Sequence, residues 1–189
     1  MGLSSTLSNL GMSNFSQILE NNTACQYPLS QLQWFTMKIM LASDHRGLEV
    51  LETILAYLQT LPEHTVLLVD ENTSEPADYP DIATKVAQSV ASGEADRGIL
   101  VCGTGIGMCV VANKFPGIRA APCHNEVVAE LSRKHNDANI LCLSGDLLGE
   151  RSSVAVVAIW LAAQFEGGRH DVRLEKIRQI EAAHHVRTA

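Results

Sequence analysis

From Met37 onward, apolar runs of five or six residues alternate with longer segments in which apolar residues recur every three or four positions, and few folds accommodate that alternation. Residues 38–43, 65–69, 97–101, 117–121 and 139–143 read as strands. Residues 48–58, 79–92, 108–114, 126–133 and 148–165 read as the helices between and after them, with Pro80 where a first-turn proline is tolerated. Gly167-Gly168 then breaks the pattern ahead of a C-terminal helix carrying Leu174, Ile177 and Ile180 on one stripe. Strands that alternate with helices in this way predict an α/β domain whose five-stranded parallel sheet is covered on both faces. Ligands of such sheets bind outside the carboxyl ends of the strands, so the polar residues that follow strands are the first candidates for a site. These are Asp44 and His45 after the first strand, Cys102 to Gly107 after the third, and His124 after the fourth. His135 and Asn136 stand just before the fifth strand and break that rule, so a second subunit would have to bring them in.

Among these, Cys102-Gly103-Thr104-Gly105-Ile106-Gly107 carries the most chemistry, because it sets a thiol at the mouth of a glycine-rich turn between a strand and a helix. The three glycines allow unusual φ values and close backbone approach, so several amides can point at one anion, and a helix N-terminus adds partial positive charge. A thiol in such a place suits proton exchange near neutral pH.

A net charge of −7 and a pI near 5.4 argue against a nucleic-acid or anionic-membrane surface, which would need clustered Lys and Arg. Small molecules, or a second copy of the chain, are the expected partners. Five cysteines without a CxxC pair read as free thiols in a reducing compartment, with Cys109, Cys123 and Cys142 as core residues. No HExxH or repeated Cys/His spacing is present, and no metal is assigned. Residues 1–36 contain no Lys or Arg and no stretch long and apolar enough to span a membrane. They read as a disordered extension, or as the product of a start placed upstream of Met37, ahead of the domain at 37–189. Toward the C-terminus, Arg169 and Arg173 share a helix face at i, i+4 and could clamp a phosphate, although ion pairs with Glu166 or Asp171 on a solvated helix explain the same spacing.

Six blocks in this order resemble the type B ribose-5-phosphate isomerase family, which includes allose-6-phosphate and galactose-6-phosphate isomerases. They are Ser43-Asp44-His45-Arg46-Gly47, Asp78-Tyr79-Pro80, Cys102 to Gly107, Ala112-Asn113-Lys114, Ser132 to Asp137, and Glu166-Gly167-Gly168-Arg169-His170. The resemblance runs from Met37 to about Glu181. It implies a Rossmann-like three-layer αβα sandwich, a cytoplasmic homodimer or a tetramer with active sites at the subunit interface, and cofactor-free interconversion of ribose 5-phosphate and ribulose 5-phosphate in the non-oxidative pentose phosphate pathway. It further implies that Cys102 moves a proton between C1 and C2. Thr104 and the amides of Gly103, Gly105, Ile106 and Gly107 would stabilise the enediolate. His135 would help to open the sugar ring, Asp44, Tyr79 and Asn136 would bind hydroxyls or the ring-opening oxygens, and His45, Arg169 and Arg173 would bind phosphate. A second branch of the family carries Ser at the position of Cys102 and a Glu base at that of Met108; Met108 cannot take a proton, which leaves Cys102.

One position departs from the family pattern. Many members carry arginine where this chain has Asp146, and in some of them it reaches the phosphate, which a carboxylate would repel. The expectation is that Asp146 points away and that Arg169, Arg173 and His45 suffice; the alternative is a substrate of different length. Arg151, five residues on, could compensate.

Other readings fit less well. A sugar-phosphate or nucleotide sensor would have no need of the thiol. A dinucleotide enzyme would need GxGxxG, and a thiol hydrolase would need a His base beside Cys102.

Overall fold

A computed structural model of the chain describes residues 36–69 and 78–185. Except for Thr36, the N-terminal extension lies outside the described residues. The elements follow in alternation: β1 (Lys38–Ser43), α1 (Leu48–Leu58), β2 (Thr65–Leu68), α2 (Tyr79–Ser92), β3 (Arg97–Cys102), α3 (Ile106–Ala112), β4 (Ala120–Pro122), α4 (Glu126–Asn136), β5 (Ile140–Ser144), α5 (Glu150–Ala162) and α6 (Arg169–His185). The strands form one parallel sheet in the order β2-β1-β3-β5-β4. Successive side chains of the inner strands go to opposite faces, as the period of two requires. Ile99, Val101, Leu141 and Leu143 meet Ile54, Val157 and the fully buried Trp160, from α1 and α5. Leu100, Cys102, Ile140 and Cys142 meet Val86 of α2 and Met108 of α3 on the other face. β3 and β5 are therefore buried on both sides, which is why they read as unbroken apolar runs. The expected three-layer αβα architecture is the one observed.

Where boundaries differ from the sequence expectation, a local interaction explains the shift. The fourth strand begins at Ala120 because Gly117 adopts φ 76° and Asn139 ties residues 117–119 into a turn, accepting from Arg119 N at 2.8 Å and donating to Gly117 O at 2.9 Å. Helix α3 starts two residues early because Gly105 takes the left-handed region at its N-cap. Helix α5 is shorter than expected: Leu148 is buried ahead of it, Gly149 is extended at its start, and Ala163 is extended at its end. Helix α4 is capped by Asn125, whose Oδ1 accepts from Val128 N at 2.8 Å, and runs three residues beyond Arg133. On the C-terminal stripe, Leu174 is buried while Ile177 and Ile180 are exposed. The cysteines at 109, 123 and 142 are core residues, as expected.

Helix α4 ends on a charge cluster. Asp137 holds φ 45° and accepts from Arg133 and Arg119, both at 2.7 Å. Arg133 is nearly fully buried, donates also to Ala138 O, and lies 5.8 Å from the Trp160 ring. Burial disfavours its charge and Asp137 offsets that cost. Asp137→Ala would strand the buried guanidinium and is expected to destabilise the domain by about 3 kcal/mol in urea unfolding, with Asp137→Asn milder because Asn tolerates the left-handed region.

Candidate active site

From β1 the chain goes to β2 on one side, and from β3 it goes to β4 on the other and returns to β5, so the carboxyl ends of β1 and β3 flank the switch point of the sheet. Parallel register brings Ser43 opposite Val101 and Cys102 opposite Ser144, and the loops after β1, β3 and β5 emerge side by side. They are tied together. Asp44 N donates to Val101 O at 3.1 Å, Gly145 N to Cys102 O at 2.8 Å, and Asp146 N to Gly103 O at 3.1 Å. Ser144 is buried; its hydroxyl donates to Gly103 O at 2.6 Å and accepts from Leu147 N at 2.9 Å.

Cys102 is buried at the end of β3, and its sulfur accepts from Gly105 N at 3.2 Å. Ile106 N donates to Thr104 Oγ1 at 3.3 Å. Two of the amides expected to face an anion are thus turned onto the loop's own sulfur and hydroxyl. Gly105 must be glycine, since φ is 76° and a Cβ would lie 3.0 Å from the Leu143 backbone. At Gly107 a Cβ would lie 2.8 Å from the Tyr79 ring, which places Tyr79 of α2 against the loop. Asp78 occupies the N-cap of α2 without a side-chain capping bond. Asp44 is buried and accepts from Arg46 N at 2.9 Å, while His45 and Thr104 are exposed. Asp44, His45, Tyr79, Cys102, Thr104 and the glycine loop therefore occupy one edge of the sheet.

His135, Asn136, Arg169 and Arg173 form a separate group. Helix α4 carries the chain from the carboxyl end of β4 back to the amino end of β5, so its last residue lies about 15 Å from its first, at the opposite edge. There His135 stacks on His170 of α6, ring centroids 4.3 Å apart and planes within 6°. Glu166 Oε2 lies 3.8 Å from His135 Nε2 and 3.9 Å from His170 Nε2. These three residues bring their ligand atoms within 4.8 Å of one another. Near-parallel stacking, however, runs the imidazole lone pairs side by side instead of converging them on one ion, and Arg169 Nε donates to His170 Nε2 at 3.3 Å. Beside the fourth strand, His124 is exposed and the helix cap is Asn125.

Asp146 does not point away from the site. Its carboxylate lies over Gly103 and pairs with Arg46, which the sequence reading had not singled out; Arg151 is exposed. The two residues are a hundred positions apart, so no local pattern signals their pairing.

A buried thiol beside a glycine loop, at the switch point of a doubly covered parallel sheet, marks the candidate active site of an α/β enzyme. The Ribose/Galactose Isomerase family model matches residues 39–177, and the chain belongs to that family. It is 46% identical over 146 residues to ribose-5-phosphate isomerase B of Escherichia coli (strain K12), covering 76% of this chain and 96% of that protein. The ribose-5-phosphate isomerase B structure from Clostridium thermocellum aligns with TM-score 0.75 and 46% identity over 78% of this chain and 99% of that one. That of Mycoplasma genitalium, with bound ribulose-5-phosphate, aligns with TM-score 0.73 and 41% identity over 77% and 96%.

Two histidines are held below the ordinary imidazole value of 6.5. Burial lowers His64, against Glu63; burial, His135, Arg169 and Arg173 lower His170, against Glu166. The unfolded chain takes up these protons more readily, so folding stability is to fall as pH drops below about 6.5. Urea midpoints at pH 7.5 and 5.5 measure the loss, and His170→Gln is expected to reduce it.

Proposed function

We propose that the protein interconverts ribose 5-phosphate and ribulose 5-phosphate through an enediolate, without a cofactor, in the cytoplasm. The observation that carries this reading is the placement of Cys102 at the switch point, its sulfur facing the Gly105 amide, in a chain of the Ribose/Galactose Isomerase family. The Cys102 thiolate takes the proton from C2 of the open-chain aldose, the hydroxyl proton of the resulting C1–C2 enediolate moves from O2 to O1, and the Cys102 thiol, whose proton exchanges with solvent, protonates C1. Thr104 and the amides of Gly103, Gly105, Ile106 and Gly107 stabilise the oxyanion once the sugar displaces their resting contacts. Asp44, Tyr79 and Asn136 hold hydroxyls, His135 assists ring opening, and His45, Arg169 and Arg173 hold the phosphate. Four thiols buried and free in the described residues suit a reducing compartment.

The working unit in this reading is a homodimer. His135, Asn136, Arg169 and Arg173 sit at the edge of the sheet away from Cys102, so each site takes them from a second copy. Ile106 and Val110 on α3, and Val172, Ile177 and Ile180 on α6, are large apolar residues exposed in the single chain, as a shared interface would require. A six-carbon phosphate is the second reading, favoured by a family description that names galactose beside ribose.

In D₂O, NMR is expected to show ribulose 5-phosphate deuterated at C1. Cys102→Ala is to lower turnover by about a hundredfold or more while phosphate-ligand binding persists, whereas Arg173→Ala mainly weakens binding. Co-refolding inactive Cys102→Ala with inactive His135→Ala chains is to restore about a quarter of wild-type activity, because half the dimers are mixed and hold one intact site. Failure to recover activity would place both residues in one chain's site.

A further inference from the structure

Arg46 and Asp146 stand on the rim of the Cys102 loop, and the mechanism above uses neither. Arg46 follows His45 in the loop after β1 and Asp146 lies in the loop after β5, so the pair reaches from one side of β3 to the other. The contact is bidentate, Nη2 to Oδ2 at 2.5 Å and Nε to Oδ1 at 3.3 Å. A Cβ built on Gly103 would lie 3.0 Å from Asp146 Oδ2 and 3.1 Å from Arg46 Nε, so the pair rests on the backbone one residue from Cys102. Both ends have a fixed main chain: Arg46 N donates to Asp44 Oδ1, and Asp146 N donates to Gly103 O.

The side chains are 58% and 33% exposed, and an ion pair so open to water contributes little to stability. Its place over the loop calls for a different explanation. The carboxylate engages two of the three guanidinium nitrogens, and among the described residues Nη1 keeps two N–H donors for another anion. Asp146 alone would repel a phosphate; paired, its charge is offset and it serves as a buttress for the cation. Beside the exposed His45, Arg46 offers a second set of donors, in the planar fork that matches a phosphate.

We propose that Arg46 binds the phosphate of the sugar-phosphate substrate, from the same protomer as Cys102, and that Asp146 is the positioning residue that holds its guanidinium at the loop. This rests on the isomerase reading of the site. It accounts for the carboxylate at position 146: the guanidinium comes from the loop after β1, and the loop after β5 supplies its support.

The test uses full-length wild type, Arg46→Ala, Arg46→Lys, Asp146→Ala and the double variant Arg46→Ala/Asp146→Ala. Two readouts are taken: steady-state kinetics with ribose 5-phosphate, and calorimetric titration with inorganic phosphate, which needs no turnover. Arg46→Ala is expected to raise KM and the phosphate Kd by about tenfold or more, the loss of a charged hydrogen bond, with kcat within about threefold of wild type. Arg46→Lys regains part of the loss because it keeps the charge without the fork. Asp146→Ala raises both constants by a smaller factor and adds nothing in the double variant, as coupled residues require. Unchanged KM and Kd in Arg46→Ala would overturn the proposal. So would tighter binding in Asp146→Ala, which would make the carboxylate a simple repulsive charge. If the wild type binds phosphate but does not turn over ribose 5-phosphate, the substrate assignment fails while the titrations still decide the role of Arg46.

Discussion

The parallel pairing of β3 between β1 and β5 is the constraint on which the rest of the molecule depends. It buries β3 on both faces and brings the carboxyl ends of three strands into step, Ser43 beside Val101 and Cys102 beside Ser144. The loops that leave those strands have no freedom to separate, because the carbonyls of Val101, Cys102 and Gly103 accept from Asp44, Gly145 and Asp146. The buried Ser144 hydroxyl adds a side-chain tie to the same carbonyl of Gly103. The Cys102 thiol sits in that frame, with its sulfur on the Gly105 amide.

The opposite edge of the sheet is organised by charge. Arg133 is buried against Trp160 and is compensated by Asp137, which also holds Arg119, so the left-handed turn that ends α4 is over-determined. That turn sets the last helical positions, His135 and Asn136, and the stacked His170 packs α6 against them. In the proposed reading each edge of the single chain supplies part of a sugar-phosphate site, and a second copy supplies the rest. Ile106 on α3 and Ile177 and Ile180 on α6 are exposed in the single chain, which is consistent with that proposal.

Legibility in the sequence followed the range of the interactions. Helix α1 and the start of α2 were readable to the residue, because the spacing of apolar residues and the Pro80 signal are local. The start of the fourth strand was misplaced by three residues because Asn139, twenty positions from Arg119, decides where the turn ends. Within the site, the glycine loop announced itself by composition, whereas the amide contacts to Cys102 Sγ and Thr104 Oγ1 did not. Asp146 looked like an isolated departure because its partner, Arg46, stands on another strand's loop.

By itself the sequence determined the class of fold, the glycine-rich thiol loop and the membership of the isomerase family, since periodicity, turn chemistry and motif order are written along one dimension. It also isolated His135 and Asn136 as residues that do not belong with the others. Only the tertiary structure decided which side chains meet: that Tyr79 packs on Gly107, that Ser144 clasps Gly103, that His135 stacks on His170, and that Arg46 lies across Gly103 on Asp146. The reason is physical. Local energies select helix, strand and turn within a few residues, but the pairing of charges and rings depends on strand order, and strand order is set by burial of the whole sheet.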